Sequence, residues 1–304
     1  MCHPERSAEG AQSKDEGRRT ARTLLSYAID ALCGSSDSPR ADALLLLAHA
    51  TGKSREWLLA HQDVELSAAQ ARDFRDFCER RRNGEPIAYI LGSAWFYGRE
   101  FLVNENVLVT RPETEHLVDE ALRFIRGPMR VLDVGTGCGS IACTIAAETT
   151  ALVDATDISP FAIEIATENA RRVGVIERCA LHVGDLVEPV RNQRFDLVVA
   201  NLPYIPTRDL PKPPDPTSFE PRAALDGGPD GLTLYRRLLP ELPSLINAGA
   251  MVLLEAAPAT ISQLAEAVRS AFPTFTVSVG KDYSGLERYV KASPAGNQPA
   301  SGTA

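Results

Sequence analysis

The sequence predicts an α/β fold: a doubly covered parallel sheet with helices on both faces, preceded by a small N-terminal helical domain and a β-hairpin linker. Three observations predict it. From about residue 130 onward, short apolar strands alternate with amphipathic helical stretches, the pattern of a parallel sheet crossed by helices. Successive strands end on glycine, aspartate or asparagine, which sets polar groups along one sheet edge. Ahead of them, from Ala21 to Asn83, apolar residues recur at helical spacing.

Residues 1–19 are polar, charged and aperiodic, and cannot bury a core, so a disordered extension is expected there. Residues 20–85 form the helical domain. Leu24, Leu25, Ala28 and Leu32 mark one helix, and Ser38-Pro39 opens a second that runs to about Thr51. Arg55 to His61 is a third and Ser67 to Asn83 a fourth, with Ser67 and Gln70 spaced as a capping box. Arg80, Arg81 and Arg82 read as its solvated end. Residues 86–112 are the linker: Ile87 to Val109 is rich in aromatic and β-branched residues punctuated by Gly92 and Gly98, the signature of a hairpin.

The third domain is expected over residues 113–292, with a helix from Thr114 to Ile125 leading into the sheet. Val131 to Val134 is a strand that runs into Gly135-Thr136-Gly137-Cys138-Gly139, after which Ile141 to Ala147 is helical. Glycines there let the backbone approach a ligand and turn tightly into a helix N-terminus. The second strand, Leu152 to Asp157, ends in an acid suited to the paired hydroxyls of a ribose. Asp154 competes for that role but falls inside the strand. The third strand, Ala180 to Leu186, ends in Asp185-Leu186, an acceptor for an adenine amino group beside an apolar packing surface.

Arg194 to Asn201 is the fourth strand, and it stops on Asn201-Leu202-Pro203-Tyr204. An amide, a rigid turn and an aromatic ring at a strand end make a pocket for a planar NH2 group. Asn201 offers a side-chain carbonyl, the loop backbone a second acceptor, and Tyr204 a face to pack on. Residues 202–230 are proline-rich with little periodicity, and a loop that long inside a compact domain is expected to be functional, here as a substrate flap. Helices over Pro160–Val173 and Ile261–Phe272, a strand at Ala250–Ala256 and an antiparallel pair at Phe275–Val279 and Leu286–Lys291 complete the sheet. Residues 293–304 read as a flexible tail.

The chain has 304 residues, a formal charge of −8 and no sustained basic run. Proteins that live on nucleic acid carry a basic footprint, so stable nucleic-acid binding is not expected. Neither a signal-peptide core nor a long apolar span is present, which excludes a membrane segment and points to the cytoplasm. The six cysteines lack metal-ligand pairing and read as reduced thiols, Cys138 being a small filler in the glycine loop. His116 and His182 are not clustered with other ligands, and no metal is expected.

The order of strand ends, a glycine loop, an acid, an acid and Asn-Leu-Pro-Tyr, matches a Rossmann-like, S-adenosylmethionine-dependent class I methyltransferase. More specifically, residues 22 to 291 resemble the bacterial release factor glutamine N5-methyltransferases, the HemK or PrmC proteins. The resemblance is carried by Glu85-Pro86-Ile87-Ala88-Tyr89-Ile90-Leu91-Gly92, by Arg111-Pro112-Glu113-Thr114-Glu115, by the glycine loop, by Asn-x-Pro-Tyr, and by the segment Glu220 to Leu232. It departs from the family where Leu202 and Thr110 replace prolines; at 202 this removes a φ restriction and predicts a more flexible loop.

The resemblance implies S-adenosyl-L-methionine as donor, held by Gly135, Thr136, Gly137, Cys138, Gly139, Asp157, Asp185, Leu186 and Asn201, without a metal. It implies a protein substrate: the Gly-Gly-Gln glutamine of class 1 peptide chain release factors, contacted by the N-terminal domain. Asn201, Leu202, Pro203 and Tyr204 would bind the amide, with Asn201 and Tyr204 catalytic. Arg111, Glu113 and Glu115 would either shape the site entrance or form structural salt bridges. A ribosomal-protein glutamine, or adenine N6 of a nucleic acid flipped into the same pocket, are the alternative acceptors.

Overall fold

A computed structural model describes residues 19–295. They divide into two compact units: residues through Gly92 together with Lys212–Phe219, and Ser93–Pro211 together with Glu220 onward. The expected N-terminal extension lies outside the described residues, apart from Arg19. The last strand runs through Pro294, so the first residues read as tail are strand, and 296–304 lie outside the described residues.

The N-terminal unit is built from helices Ala21–Leu32, Pro39–Thr51, Arg55–Ala60 and Ala68–Arg82. Their inward faces share one core that includes Leu24, Leu46, Leu58 and Phe74. Ser67 caps the fourth helix through a capping box: its hydroxyl accepts from the Gln70 N–H at 3.2 Å, and Gln70 Oε1 accepts from the Ser67 N–H at 3.0 Å. The arginines that end this helix are paired within the unit, Arg80 with Glu85, Arg81 with the buried Asp42, and Arg82 with Glu79. Of the expected linker hairpin, Ile87–Leu91 is instead a fifth helix, closed by Gly92. Pro86 opens it, and burial of Ala88, Tyr89 and Ile90 overrides the strand preference of Tyr89 and Ile90. The segment 212–219 belongs to this unit, with the Phe219 ring against Gly84.

In the second unit, Ser93–Phe96 (β1) and Arg99–Leu102 (β2) form the hairpin around a Tyr97-Gly98 turn, both residues at positive φ. The Tyr97 N–H and hydroxyl are held by Glu115 and Asp119. The sheet consists of Arg130–Val134 (β3), Leu152–Asp157 (β4), Cys179–Val183 (β5), Phe195–Ala200 (β6), Ile246–Glu255 (β7), Phe275–Lys281 (β8) and Glu287–Pro294 (β9). Its order is β5-β4-β3-β6-β7-β9-β8, parallel through β7 and antiparallel beyond it.

Alternate residues of the central strands serve two cores. Leu132, Val198 and Val252 face one, with helix Ile261–Ala271; Val131, Leu197 and Met251 face the other, with helices Glu115–Phe124 and Ser140–Glu148. The direction of strand order reverses beside β3, which opens a crevice at the carboxyl ends of β3, β4 and β6. Within 202–230 the chain makes short 3-10 turns, and a helix over Thr233–Leu238 follows that periodicity had not marked.

No helix among the described residues is long and apolar enough to cross a membrane. Among the described residues, Cys78, Cys138, Cys143 and Cys179 are free and buried.

Ser67→Ala removes one half of the capping box. It is expected to lower the stability of the N-terminal unit by about 1 kcal/mol, read from denaturant unfolding followed by the fluorescence of Trp57.

Candidate active site

The crevice is organised by the end of β3. Gly135 has φ +75°, a conformation that favours glycine, and a Cβ there would lie 2.7 Å from Leu202 Cδ2 and displace that methyl. The N–H groups of Gly135 and Thr136 donate to the Thr156 carbonyl of β4, at 2.9 and 3.0 Å. Asp157 closes the loop from the β4 side: Oδ2 accepts from the Gly137 N–H and Oδ1 from the Ser159 N–H, each at 2.9 Å. Burial raises the Asp157 pKa, and these backbone donors oppose the rise. From the far side, Asn169 Nδ2 donates to the Cys138 carbonyl at 2.8 Å.

Here the second unit holds a cavity of about 430 Å³. Gly135 to Cys138, Asp157, Asp185, Leu186, Asn201, Leu202 and Pro203 all line it. Two of the residues singled out by sequence stand apart. Gly139 faces helix Pro160–Val173, where an added Cβ would meet Ala166 Cβ at 3.0 Å. Tyr204 packs on the sheet core and directs its hydroxyl to Glu255 Oε1 at 3.4 Å. Asp185 forms an ion pair with Arg237, itself part of the cavity wall. Leu186 sits at φ +49°, a left-handed conformation uncommon for a bulky residue and concentrated at functional sites.

Leu202 corrects the expectation of a loosened loop. Its N–H donates to the Tyr235 hydroxyl at 3.2 Å, and Tyr235 in turn donates to the Glu255 carbonyl. Its side chain is 3% exposed and fills the space over Gly135. A proline at 202 could not make that hydrogen bond. Asp154 points away from the cavity, paired with Arg130 and His182. Arg111, Glu113 and Glu115 do not line the cavity: Arg111 pairs with Glu220, Glu113 with Arg288, and Glu115 accepts the Tyr97 N–H.

Sequence reading missed the wall formed by Glu105 to Leu108 and Thr110, and the contribution of Asp226. A signal for the last was present in Asp226-Gly227-Gly228-Pro229-Asp230-Gly231. Cβ atoms on Gly227 and Gly231 would lie 2.7 Å from the Pro203 carbonyl oxygen and 2.4 Å from that of Tyr204. The glycines are there because this segment is laid directly on the backbone of the Asn-Leu-Pro-Tyr turn. Two hydrogen bonds, Ile205 N–H to Leu225 O and Gly227 N–H to Ile205 O, fasten it.

Beneath the glycine loop, Asp133 is wholly buried. One oxygen accepts from the Thr136 hydroxyl at 2.7 Å and the Ala142 N–H at 3.2 Å, and the other has no partner. Burial pushes its pKa up to about 7 against those two hydrogen bonds. A carboxyl raised on folding binds more protons in the native state, so its contribution to stability falls as pH rises from the unfolded value, about 4, through about 7. Asp133→Asn is therefore expected to melt above the wild type at about pH 8, with the difference closing toward about pH 4. Paired thermal melts across that range measure it.

Comparison with known proteins gives a consistent picture. Residues 23–92 match the domain family described as the PrmC N-terminal domain, and residues 125–268 a methyltransferase domain. The chain is 38% identical over 273 residues to the release factor glutamine methyltransferase of Moorella thermoacetica, covering 88% of this chain and 96% of that protein. It is 36% identical to the corresponding Bacillus subtilis protein, covering 90% and 98%. A methyltransferase from Pyrococcus furiosus has a similar fold, with TM-score 0.50 and 21% identity, covering 65% of this chain and 89% of that one.

Proposed function

The chain belongs to the release factor glutamine methyltransferase family, and from that premise we propose that it methylates the side-chain amide nitrogen (N5) of the Gly-Gly-Gln glutamine in class 1 release factors, using S-adenosyl-L-methionine. The observation that carries the proposal is one cavity bounded by the glycine loop, Asp157 and Asn201. With a translation factor as substrate, the proposed setting is the cytoplasm.

The residues fit this donor. A cavity of about 430 Å³ is within the range that encloses small organic ligands. The loop at Gly135 admits no side chain, leaving backbone to face a ligand. Each Asp157 oxygen already accepts one backbone N–H and retains a lone pair for a ribose hydroxyl. Asp185 and Leu186 would receive the adenine, with one Asp185 oxygen committed to Arg237. No cluster of metal ligands occurs among the described residues, and none is invoked.

S-adenosylmethionine, when bound, supplies a methyl group already activated by a sulfonium. The protein's task is alignment, which can supply about 7–11 kcal/mol. Asn201 Oδ1 and the Leu202 carbonyl would accept the two hydrogens of the substrate amide, turning the nitrogen lone pair toward the methyl. As that nitrogen becomes positive, both oxygens stabilise it more than they stabilise the neutral amide, which is the condition for catalysis. The surplus proton leaves to water after transfer, so no strong base is required. Pro203 shapes the cavity wall, and Tyr204 contributes by holding the turn through Glu255. The N-terminal unit and residues 202–230 are proposed to contact the protein substrate.

Incubation with labelled S-adenosylmethionine and purified release factor should place a single methyl on that glutamine, located by peptide mass spectrometry. Label appearing instead on ribosomes or DNA would overturn the assignment. Asp157→Ala is expected to weaken donor binding by on the order of 1.5–3 kcal/mol in calorimetry. Asn201→Ala should leave donor affinity near wild type while lowering kcat by about a hundredfold or more.

A further inference from the structure

The turn after β6 is restrained residue by residue. Gly227 and Gly231 lie on the Pro203 and Tyr204 carbonyls, and Ile205 pairs with Leu225 and Gly227 through two backbone hydrogen bonds. At Leu202 the restraint is a side chain: its N–H donates to the Tyr235 hydroxyl at 3.2 Å. That hydroxyl gives its own hydrogen to the Glu255 carbonyl. Leu202 and Tyr235 are both buried, Tyr235 completely. Tyr235 lies in the helix Thr233–Leu238, which is fastened to the glycine segment by the Thr233 N–H on the Gly227 carbonyl, at 3.0 Å.

Sheet register explains where the hydroxyl sits. The last rung between β6 and β7 sets Ala200 opposite Leu254. Ala256 gives its N–H to Arg288 on the β9 side, so by alternation the Glu255 carbonyl faces β6. A ladder continued in this register would aim the Leu202 N–H at that carbonyl. The phenol oxygen takes the place of the direct bond, accepting from one strand end and donating to the other. The strands therefore part at Leu202 without orphaning a buried donor or acceptor. A proline at 202 would need no acceptor and would restrain φ through its ring. Leucine brings a donor and no such restraint, and Tyr235 answers both.

We propose that Tyr235 is a positioning residue whose hydroxyl fixes the Asn201–Leu202 peptide. It thereby sets the aim of the Asn201 side chain and the Leu202 carbonyl, the two acceptors for the substrate amide. Both residues line the cavity, and among the described residues no backbone N–H pairs with the Leu202 carbonyl. The catalytic consequence rests on the glutamine-methylation reading, whereas the hydrogen bond can be measured without catalysis.

The test uses the full-length protein and a double-mutant cycle. Tyr235→Phe leaves the Leu202 N–H unpaired and is expected to lower kcat on the release factor at least about tenfold. Donor affinity in calorimetry should stay within about twofold of wild type, because the hydroxyl faces the turn and not the donor. In a Leu202→Pro background there is no N–H to hold. The same Tyr235→Phe change should then cost no more than about twofold relative to Leu202→Pro alone. Loss of the bond to the Glu255 carbonyl is common to both backgrounds and cancels from the comparison.

Hydrogen exchange supplies a second measurement that needs neither activity nor Leu202→Pro. Asn201-Leu202 is the sole Asn-Leu pair in the sequence, so carbonyl-13C asparagine with 15N leucine isolates the Leu202 amide in NMR spectra. Its exchange should be slow in the wild type and at least about tenfold faster in Tyr235→Phe, while other protected leucine amides keep their rates.

Wild-type kcat in Tyr235→Phe would overturn the proposal. So would equal losses from Tyr235→Phe in the two backgrounds, which would mean that the hydroxyl acts on β7 alone, and so would an unchanged exchange rate at Leu202. A wild type that methylates no release factor would sink the functional reading, and the exchange rate would still decide whether Tyr235 holds Leu202.

Discussion

The parallel pairing of β3 with β6 is the constraint on which the site depends. Its register sets Val134 beside Ala200, so the two strands deliver Gly135 and Asn201-Leu202 to the same level of the sheet. A backbone with no side chain on one strand end, at φ +75°, meets a buried leucine on the other, so a Cβ at 135 would be strained and would displace the Leu202 methyl. A slip of one residue would turn each side chain of β6 to the opposite core and remove the leucine from the glycine. The pairing is strong because alternate residues of both strands are committed to two separate cores.

Around that junction the protein buries more acid than solvation alone would permit. Asp133 lies under the glycine loop and Glu255 behind the Asn-Leu-Pro-Tyr turn, each with one oxygen lacking a partner. Burial makes the charged form of both unfavourable, and folding carries that cost at neutral pH. Such groups persist where they hold neighbouring donors in a required direction. Asp133 gathers Thr136 and the first turn of the following helix, while Glu255 holds the Tyr204 hydroxyl.

The segment after the turn has a division of labour. Residues 220–232 return to β6 and lay glycines over the Pro203 and Tyr204 carbonyls, which restrains the turn from outside. Residues 212–219 pack with the helical unit instead. One proline-rich excursion therefore serves both units. Its lack of periodicity reflects a path made of short turns and backbone contacts rather than a face to be buried.

Local rules carried much of this protein. Strand ends, the glycine loop, the capping box at Ser67 and Gln70, and the helices at Pro39–Thr51 and Pro160–Val173 follow from periodicity and from residue types with special backbone or hydrogen-bonding capacity. The cavity-lining set from Gly135 to Cys138, with Asp157, Asp185, Leu186 and Asn201 to Pro203, was legible because each residue sits where a strand stops. Tertiary structure decided the rest. It made a helix of Ile87–Leu91 by burying its apolar face, drew Tyr204 off the cavity toward Glu255, and gave the Leu202 N–H a partner in Tyr235. It also brought Thr114 to Asn201 and Glu255 to Tyr204 from distant elements. Periodicity records which face of an element is buried; which side chains then meet is set by sheet register and crossing geometry, and no local pattern encodes that.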